Sequence, residues 1–228
     1  MNKVLNVVMC AVISLVTVFL ANKIYHLEPL KKEYHDMPRE MSKHVRRFQA
    51  VDYDNKTYGT GVNIKFQGKN FVITNAHVCK VSDMLKTKGT AVVNGNKLKI
   101  IKVWDKHDLC ALESDREEGL ELAYQDSSPL DKVTLIGHPR GLDLTVREGR
   151  IISEDFIIVM LKNGLPTMFV SDTVSTTAYG GNSGSPILNR WGRVVGVLFA
   201  GQDAYPHEPS IVPYEFLKEF LEELMEEK

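Results

Sequence analysis

Cysteine is scarce in this chain, with three in 228 residues, at Cys10, Cys79 and Cys110. That excludes a small domain framed by a network of disulfides. A surplus of positive charge is missing too. Lys plus Arg number 28 against 29 Asp plus Glu, a formal net charge of −1, so the basic footprint of a general nucleic-acid binder is absent. Mean hydropathy is −0.16, which excludes a polytopic membrane protein. What remains is 43% hydrophobic and 25% charged, an ordinary globular composition with material for a sizeable core.

The apolar content is unevenly spread. From Val4 to Ala21 there is no charged residue, and only Asn6, Ser14 and Thr17 are polar. As a helix this run would rise roughly 27 Å, close to a hydrocarbon core of about 30 Å. Cleavage after Ala21 would put Phe19 at the −3 position, where a signal peptidase wants a small residue. A helix buried in a soluble core would carry a polar stripe, and this one is apolar all round. Residues 1–24 are therefore expected to be a single-pass membrane anchor, with Cys10 inside it. Lys23, Lys31, Lys32 and Arg39 follow it and only Lys3 precedes it. That bias would hold the following domain in the cytoplasm, but the side of the membrane is left open. Residues 25–47, charged and broken by Pro29 and Pro38, read as a solvated stalk with a locally basic end at Lys43, Arg46 and Arg47.

From about residue 45 short apolar runs alternate with Gly, Asn and Asp. Strands are expected at 61–66, 71–76, 90–93, 98–104, 109–112, 133–136, 144–146, 151–153, 156–161, 168–170, 186–188 and 194–199. Turn signals such as Asn94-Gly95-Asn96 and Lys162-Asn163-Gly164 separate them. The crossover helices of an α/β fold are lacking, so the pattern predicts an all-β barrel or sandwich. The chain closes differently. Pro213 to Lys228 places Phe216, Leu217, Phe220, Leu221, Leu224 and Met225 on one face of an amphipathic helix, with its glutamates largely elsewhere.

Three short motifs carry chemistry. Gly180-Gly181-Asn182-Ser183-Gly184-Ser185-Pro186 can present a serine hydroxyl on a tight turn, with the N–H groups of Gly181 and Ser183 free to face a developing oxyanion. Phe71-Val72-Ile73-Thr74-Asn75-Ala76-His77 sets a histidine where a buried strand ends. Asp108-Leu109-Cys110-Ala111-Leu112 sets an aspartate at the mouth of a strand that is apolar on both faces. Such an aspartate must find a hydrogen-bonding partner. Asp105, in a polar stretch, needs none. A serine hydroxyl is inert at neutral pH until an imidazole takes its proton, and a carboxylate fixes the imidazole tautomer and stabilises its cation. The order His77, Asp108, Ser183 fits those three roles. A different use of the same region is a zinc site, because His77, Cys79, His107 and Cys110 are suitable ligand types. Cys79 and Cys110 also fit as small core residues or, in an oxidising compartment only, as a disulfide.

With these motifs the sequence resembles the chymotrypsin-fold serine proteases, and within them the HtrA/Deg-type branch. Gly59-Thr60-Gly61-Val62 resembles that branch's opening hairpin. Val133 to Leu142, with Ile136-Gly137-His138-Pro139-Arg140-Gly141, resembles its Ile-Gly-Asn-Pro-x-Gly segment, and Ser210-Ile211-Val212-Pro213 resembles its approach to the last helix. The resemblance implies an all-β protease domain over residues 48–228, built of two six-stranded antiparallel barrels with the triad between them. Their expected bounds are about 48–123 and 130–212, followed by a helix at 213–227. It assigns the oxyanion donors to Gly181 and Ser183, and the substrate pocket to Thr177, Ala178, Phe199, Ala200 and Gly201. No acidic residue lies among those five, which argues against a basic substrate side chain and suggests a small or medium apolar one. Two positions depart from the pattern. Ser185 replaces a second glycine, and Asn182 stands where the digestive enzymes carry an aspartate. No PDZ domain is expected after the last helix.

The implied function is a membrane-anchored serine endopeptidase that needs no metal or other cofactor. Its partners would be a peptide or protein substrate and, through the N-terminal helix, the membrane. The alternative is a catalytically silent protease-fold binding module tethered in the same way.

Overall fold

The computed structural model describes residue 17 and residues 37–49, 57–84, 89–162, 165–202 and 205–226. The chain forms two units, 1–39 and 40–228, and every strand among the described residues lies in the second. The expected anchor, apart from residue 17, and residues 25–36 of the stalk fall outside the described residues. Among the described residues no helix is long and apolar enough to cross a membrane.

Twelve antiparallel strands make two closed six-stranded barrels. In the first, β1 (Val45–Gln49), β2 (Thr57–Phe66) and β3 (Lys69–Thr74) run side by side, and closure proceeds through β6 (Leu109–Glu113), β5 (Asn96–Trp104) and β4 (Thr90–Val93). The second repeats that order. It runs through β7 (Lys132–Gly137), β8 (Thr145–Lys162) and β9 (Leu165–Val174), then through β12 (Tyr205–Val212), β11 (Val194–Gln202) and β10 (Pro186–Asn189). Helix α1 (Ala76–Met84) leaves β3, and α2 (Tyr214–Glu226) leaves β12.

Local sequence explains much of this. Asn94 and Gly95 adopt φ of 50° and 86°, the left-handed pair a two-residue hairpin requires, and so fix Val93 opposite Asn96. Leu109 to Leu112 are buried on both strand faces, as expected for an inner wall covered on each side. On α2, Leu217, Phe220, Leu221 and Leu224 are buried, and the helix packs with the main core.

The structure differs from the sequence pattern in four places. Strand β1 begins at Val45, inside the expected stalk. Arg46 is only 1% exposed because its guanidinium bonds both carboxylate oxygens of Asp115, at 2.7 and 3.0 Å, and the side-chain oxygen of Asn63 at 3.0 Å. The locally basic end of the stalk is thus partly a buried anchor. The run after β3 turns into α1. The expected strands at 144–146, 151–153 and 156–161 are one strand, β8, bent by irregular register between Ile151 and Phe156, where Asp155 takes φ 52°. Strand β12 is an addition. Two strands missed and three merged into one leave the total at twelve.

The segment joining the barrels holds on to both. Leu120 exchanges hydrogen bonds with the first barrel, accepting from Lys65 N and donating to Asn63 O, each at 2.8 Å. Ala123 N then donates to Val194 O, and Val194 N to Glu121 O, each at 2.9 Å, on the second.

Candidate active site

His77 sits in the first turn of α1, with its side chain about half exposed. Its Nδ1 lies 2.7 Å from Oδ2 of Asp108, and its backbone N–H donates to Oδ1 at 2.9 Å. Asp108 reaches this position with φ 53°, a left-handed conformation that aspartate tolerates better than most residues. Its carbonyl accepts from Ala76 N and from Asn75 Nδ2, both at 3.0 Å. The carboxylate therefore does two jobs. It caps the N-terminus of α1, where negative charge is favoured, and it holds the imidazole by one nitrogen, Nδ1. Asp105 pairs with Lys80 at the surface instead.

Behind this pair Cys79 and Cys110 form a disulfide, each two residues beyond a member of the pair. Both cysteines are buried. The zinc arrangement is thereby not formed, since the two thiols are bonded to each other. His107, its other member, lies 3.9 Å from the Phe216 ring of α2 and 4.7 Å from Trp104, centroid to centroid. Burial, with nearby Lys106 adding to it, lowers the His107 pKa to about 4. Among the described residues no group of His, Cys, Asp and Glu could hold a metal ion.

Ser183 stands half-buried on the turn between β9 and β10. That turn is docked on the first barrel: Thr60 N donates to the carbonyl of Ser183 at 2.7 Å, and Thr60 Oγ1 to the carbonyl of Gly181 at 2.8 Å. Thr74, three residues before His77, donates its hydroxyl to Thr60 O at 2.6 Å. Gly184, at φ 85°, lies so close that a Cβ there would collide with Thr60 O and Thr74 Oγ1, so only glycine fits. On the other side, Arg140 N donates to Gly180 O at 2.6 Å, and the Arg140 guanidinium lies 4.0 Å from the Tyr179 ring centroid. Among the described residues neither the N–H of Gly181 nor that of Ser183 donates a hydrogen bond.

The five expected pocket residues lie on two stretches, 177–178 before the turn and 199–201 on β11. Ala178 is buried in the core of the second barrel. Phe199 is buried on β11, its ring 5.7 Å from that of Phe169 on β9. Ala200 and Gly201 follow on β11. Thr177 bonds to His207 through Oγ1 and Nδ1, 3.0 Å apart. The sequence reading missed Thr60, Thr74 and His207. The first lies within a motif that the resemblance singled out, Gly59-Thr60-Gly61. His207 carried no signal, being exposed and separated from Thr177 by two strands.

The sequence profile of the trypsin-like peptidase domain matches residues 59–197. Solved structures agree on the fold. The active form of the Rv3671c protease from M. tuberculosis superposes with a TM-score of 0.60 at 20% identity, covering 76% of this chain and 77% of that one. A serine endoprotease from Yersinia pestis gives 0.65 at 19% identity over 85% of this chain and 67% of its own. The HtrA-type protease AlgW with a tripeptide gives 0.66 at 18% identity over 85% and 64%.

Proposed function

Since the chain belongs to the trypsin-like peptidase domain family, we propose that it is a membrane-anchored serine endopeptidase acting through Ser183, His77 and Asp108. The observation that carries the reading is the double hold of Asp108 on His77, through Nδ1 at 2.7 Å and through the backbone N–H at 2.9 Å. With the proton on Nδ1 facing Asp108, Nε2 is left as the acceptor, the state in which imidazole removes a serine proton.

The steps follow from the same groups. Nε2 takes the proton of Ser183 Oγ as the oxygen attacks the scissile carbonyl, and Asp108 stabilises the imidazolium. The carbonyl oxygen becomes an oxyanion and is met by the N–H groups of Gly181 and Ser183, each worth about 3–4 kcal/mol in the transition state. His77 then returns the proton to the departing amine, leaving an acyl group on Ser183. Water, deprotonated by the same nitrogen, releases it. The hydrophobic run from Val4 to Ala21 supports the anchor, and carbonate extraction of membranes tests it, since a peripheral protein would be released.

The catalytic reading is tested by labelling with a fluorophosphonate, which reacts only with an activated serine. Wild type is expected to label and Ser183→Ala not to. A folded wild type that stays unlabelled, or a Ser183→Ala variant that labels equally, removes the peptidase reading and leaves the binding module.

A further inference from the structure

Two cavities, of about 910 and 300 Å³, share Ala123 and Arg193 in their walls. Most of their lining comes from the segment joining the barrels and from the turn between β10 and β11, and it includes none of Ser183, His77, Asp108 or Gly181. Lys65, Lys132, Arg150, Arg190, Arg193 and Lys218 line the two spaces against only three acids, Glu121, Asp126 and Asp131. The groove is therefore basic on a chain whose net charge is −1. Arg193 is paired with Glu121, and Lys218 reaches Glu222. The side chains of Lys65, Lys132 and Arg190 make no hydrogen bond or ion pair among the described residues.

Two of the cations are laid on rings. The Arg190 guanidinium lies 4.4 Å from the Trp191 centroid, and that of Arg193 lies 4.1 Å from the Tyr124 centroid while donating to the phenol oxygen at 2.8 Å. Stacking uses the face of a guanidinium and leaves its N–H edge to take a carboxylate in the same plane. It also holds the side chain in place, so less freedom is lost when a ligand arrives. Both rings stand largely in water, Tyr124 85% and Trp191 67% exposed. Arg, Tyr and Trp are the residues on which protein-binding surfaces concentrate their energy.

The acids and the main chain narrow the ligand class. The N–H groups of Tyr124, Gln125 and Asp126 donate to nothing among the described residues. A peptide supplies carbonyls for those donors and N–H groups for the acids, whereas a sugar–phosphate backbone offers the acids no donor and places a negative charge at every step.

We propose that this groove is a second binding site, which holds an acidic peptide segment with its carboxylates on Arg190, Lys132 and Lys65 and its main chain along Tyr124 to Asp126. Under the peptidase reading it would tether one stretch of a substrate while another reaches Ser183, raising the effective concentration there. The binding itself does not depend on that reading.

The test uses the full-length chain in detergent and follows the emission of Trp191, one of two tryptophans in the sequence. The probes are a short peptide of alternating Glu and Gly, the same peptide with Gln for Glu, and an oligothymidylate of equal charge. The Glu peptide is expected to shift the emission and to bind at least about tenfold more tightly than the Gln peptide, with the difference shrinking as salt is added. Arg190→Gln combined with Lys132→Gln, both at exposed positions, should weaken Glu-peptide binding by about tenfold or more with an unchanged thermal midpoint. Trp191→Phe should remove the emission shift. Ser183→Ala should bind as wild type does, so a failure of the catalytic reading is told apart from a failure of this one. The proposal is overturned if the Glu peptide does not bind, or if the Gln peptide or the oligothymidylate binds as tightly. A folded double variant that binds like wild type overturns it too, as does a shift that survives in Trp191→Phe.

Discussion

The first and second barrels follow one path, three consecutive strands and then closure through the sixth, fifth and fourth, yet they are braced differently. The first holds a disulfide between Cys79 and Cys110, and the ion pair of Arg46 with Asp115. The second contributes a turn of small residues, with Gly181 and Gly184 at φ of 92° and 85°, held by Thr60 of the first barrel on one side and Arg140 on the other. The difference follows from the parts each carries. A histidine and an aspartate 31 residues apart must keep one fixed hydrogen bond, so the scaffold beneath them is tied together. Under the proposed mechanism the Ser183 turn must leave two N–H groups unspent, so its carbonyls, rather than those donors, do the docking.

The largest way to break this comparison is Asp108→Asn. The cap on α1 can persist through the amide oxygen, while the tautomer of His77 is reversed. Turnover is expected to drop by roughly 10⁴-fold, measured as kcat/KM alongside an unchanged circular dichroism spectrum. Asp105→Asn should leave turnover within about twofold, because its partner is a surface lysine. Arg46→Ala comes next, leaving Asp115 without the bond that chiefly holds its pKa down at about 2 and opening a hole behind β1. Urea unfolding should show a loss of about 3–5 kcal/mol. Reduction of Cys79–Cys110, or their joint replacement by alanine, should cost about 2–4 kcal/mol. If its bracing role is right, turnover falls in step with the thermal midpoint.

The smallest effect concerns pH, and here the barrels oppose one another. His107, packed between the first barrel and α2, has a pKa near 4 against an ordinary 6.5, through burial. The unfolded chain binds the extra proton between those values, so its contribution to stability is present above about 6.5 and lost as pH falls toward 4. Asp172 of the second barrel is only 3% exposed, and burial raises its pKa to about 7. Here the folded chain binds the proton, so stability is lost as pH rises from about 4 to 7. Asp172→Asn should therefore raise the thermal midpoint more at pH 8 than at pH 5. An equal shift at both would mean that the carboxyl ionises normally in the fold.

How much of this was legible depended on whether the controlling contact was local. The hairpin at Asn94-Gly95, the inner walls of β3 and β6, and the face of α2 declare themselves by period and turn chemistry. Strand β1, Val-Arg-Arg-Phe-Gln, does not, since Arg46 is buried only because Asp115 and Asn63 meet it from residues distant in sequence. Strand β12 contains Pro206, His207, Glu208 and Pro209, a composition that reads as loop until neighbours on both sides pair with it. Helix α1 starts where Asp108 caps it, 31 residues away. The motifs around His77, Asp108 and Ser183 stood out because each departs from its surroundings within a few residues. The clasp of Thr60 and Thr74 and the pairing of Thr177 with His207 did not, since two hydroxyls and an exposed imidazole look like any surface until the strands cross.

The joining segment has a kinetic consequence. Leu120 and Ala123 donate across to different barrels only a few residues apart, so neither barrel can open locally without pulling on the other. The amides of Lys65, Leu120, Ala123 and Val194 should then exchange with deuterated solvent at one common slow rate, set by global unfolding. Two halves that look like separate modules would melt as a single cooperative unit.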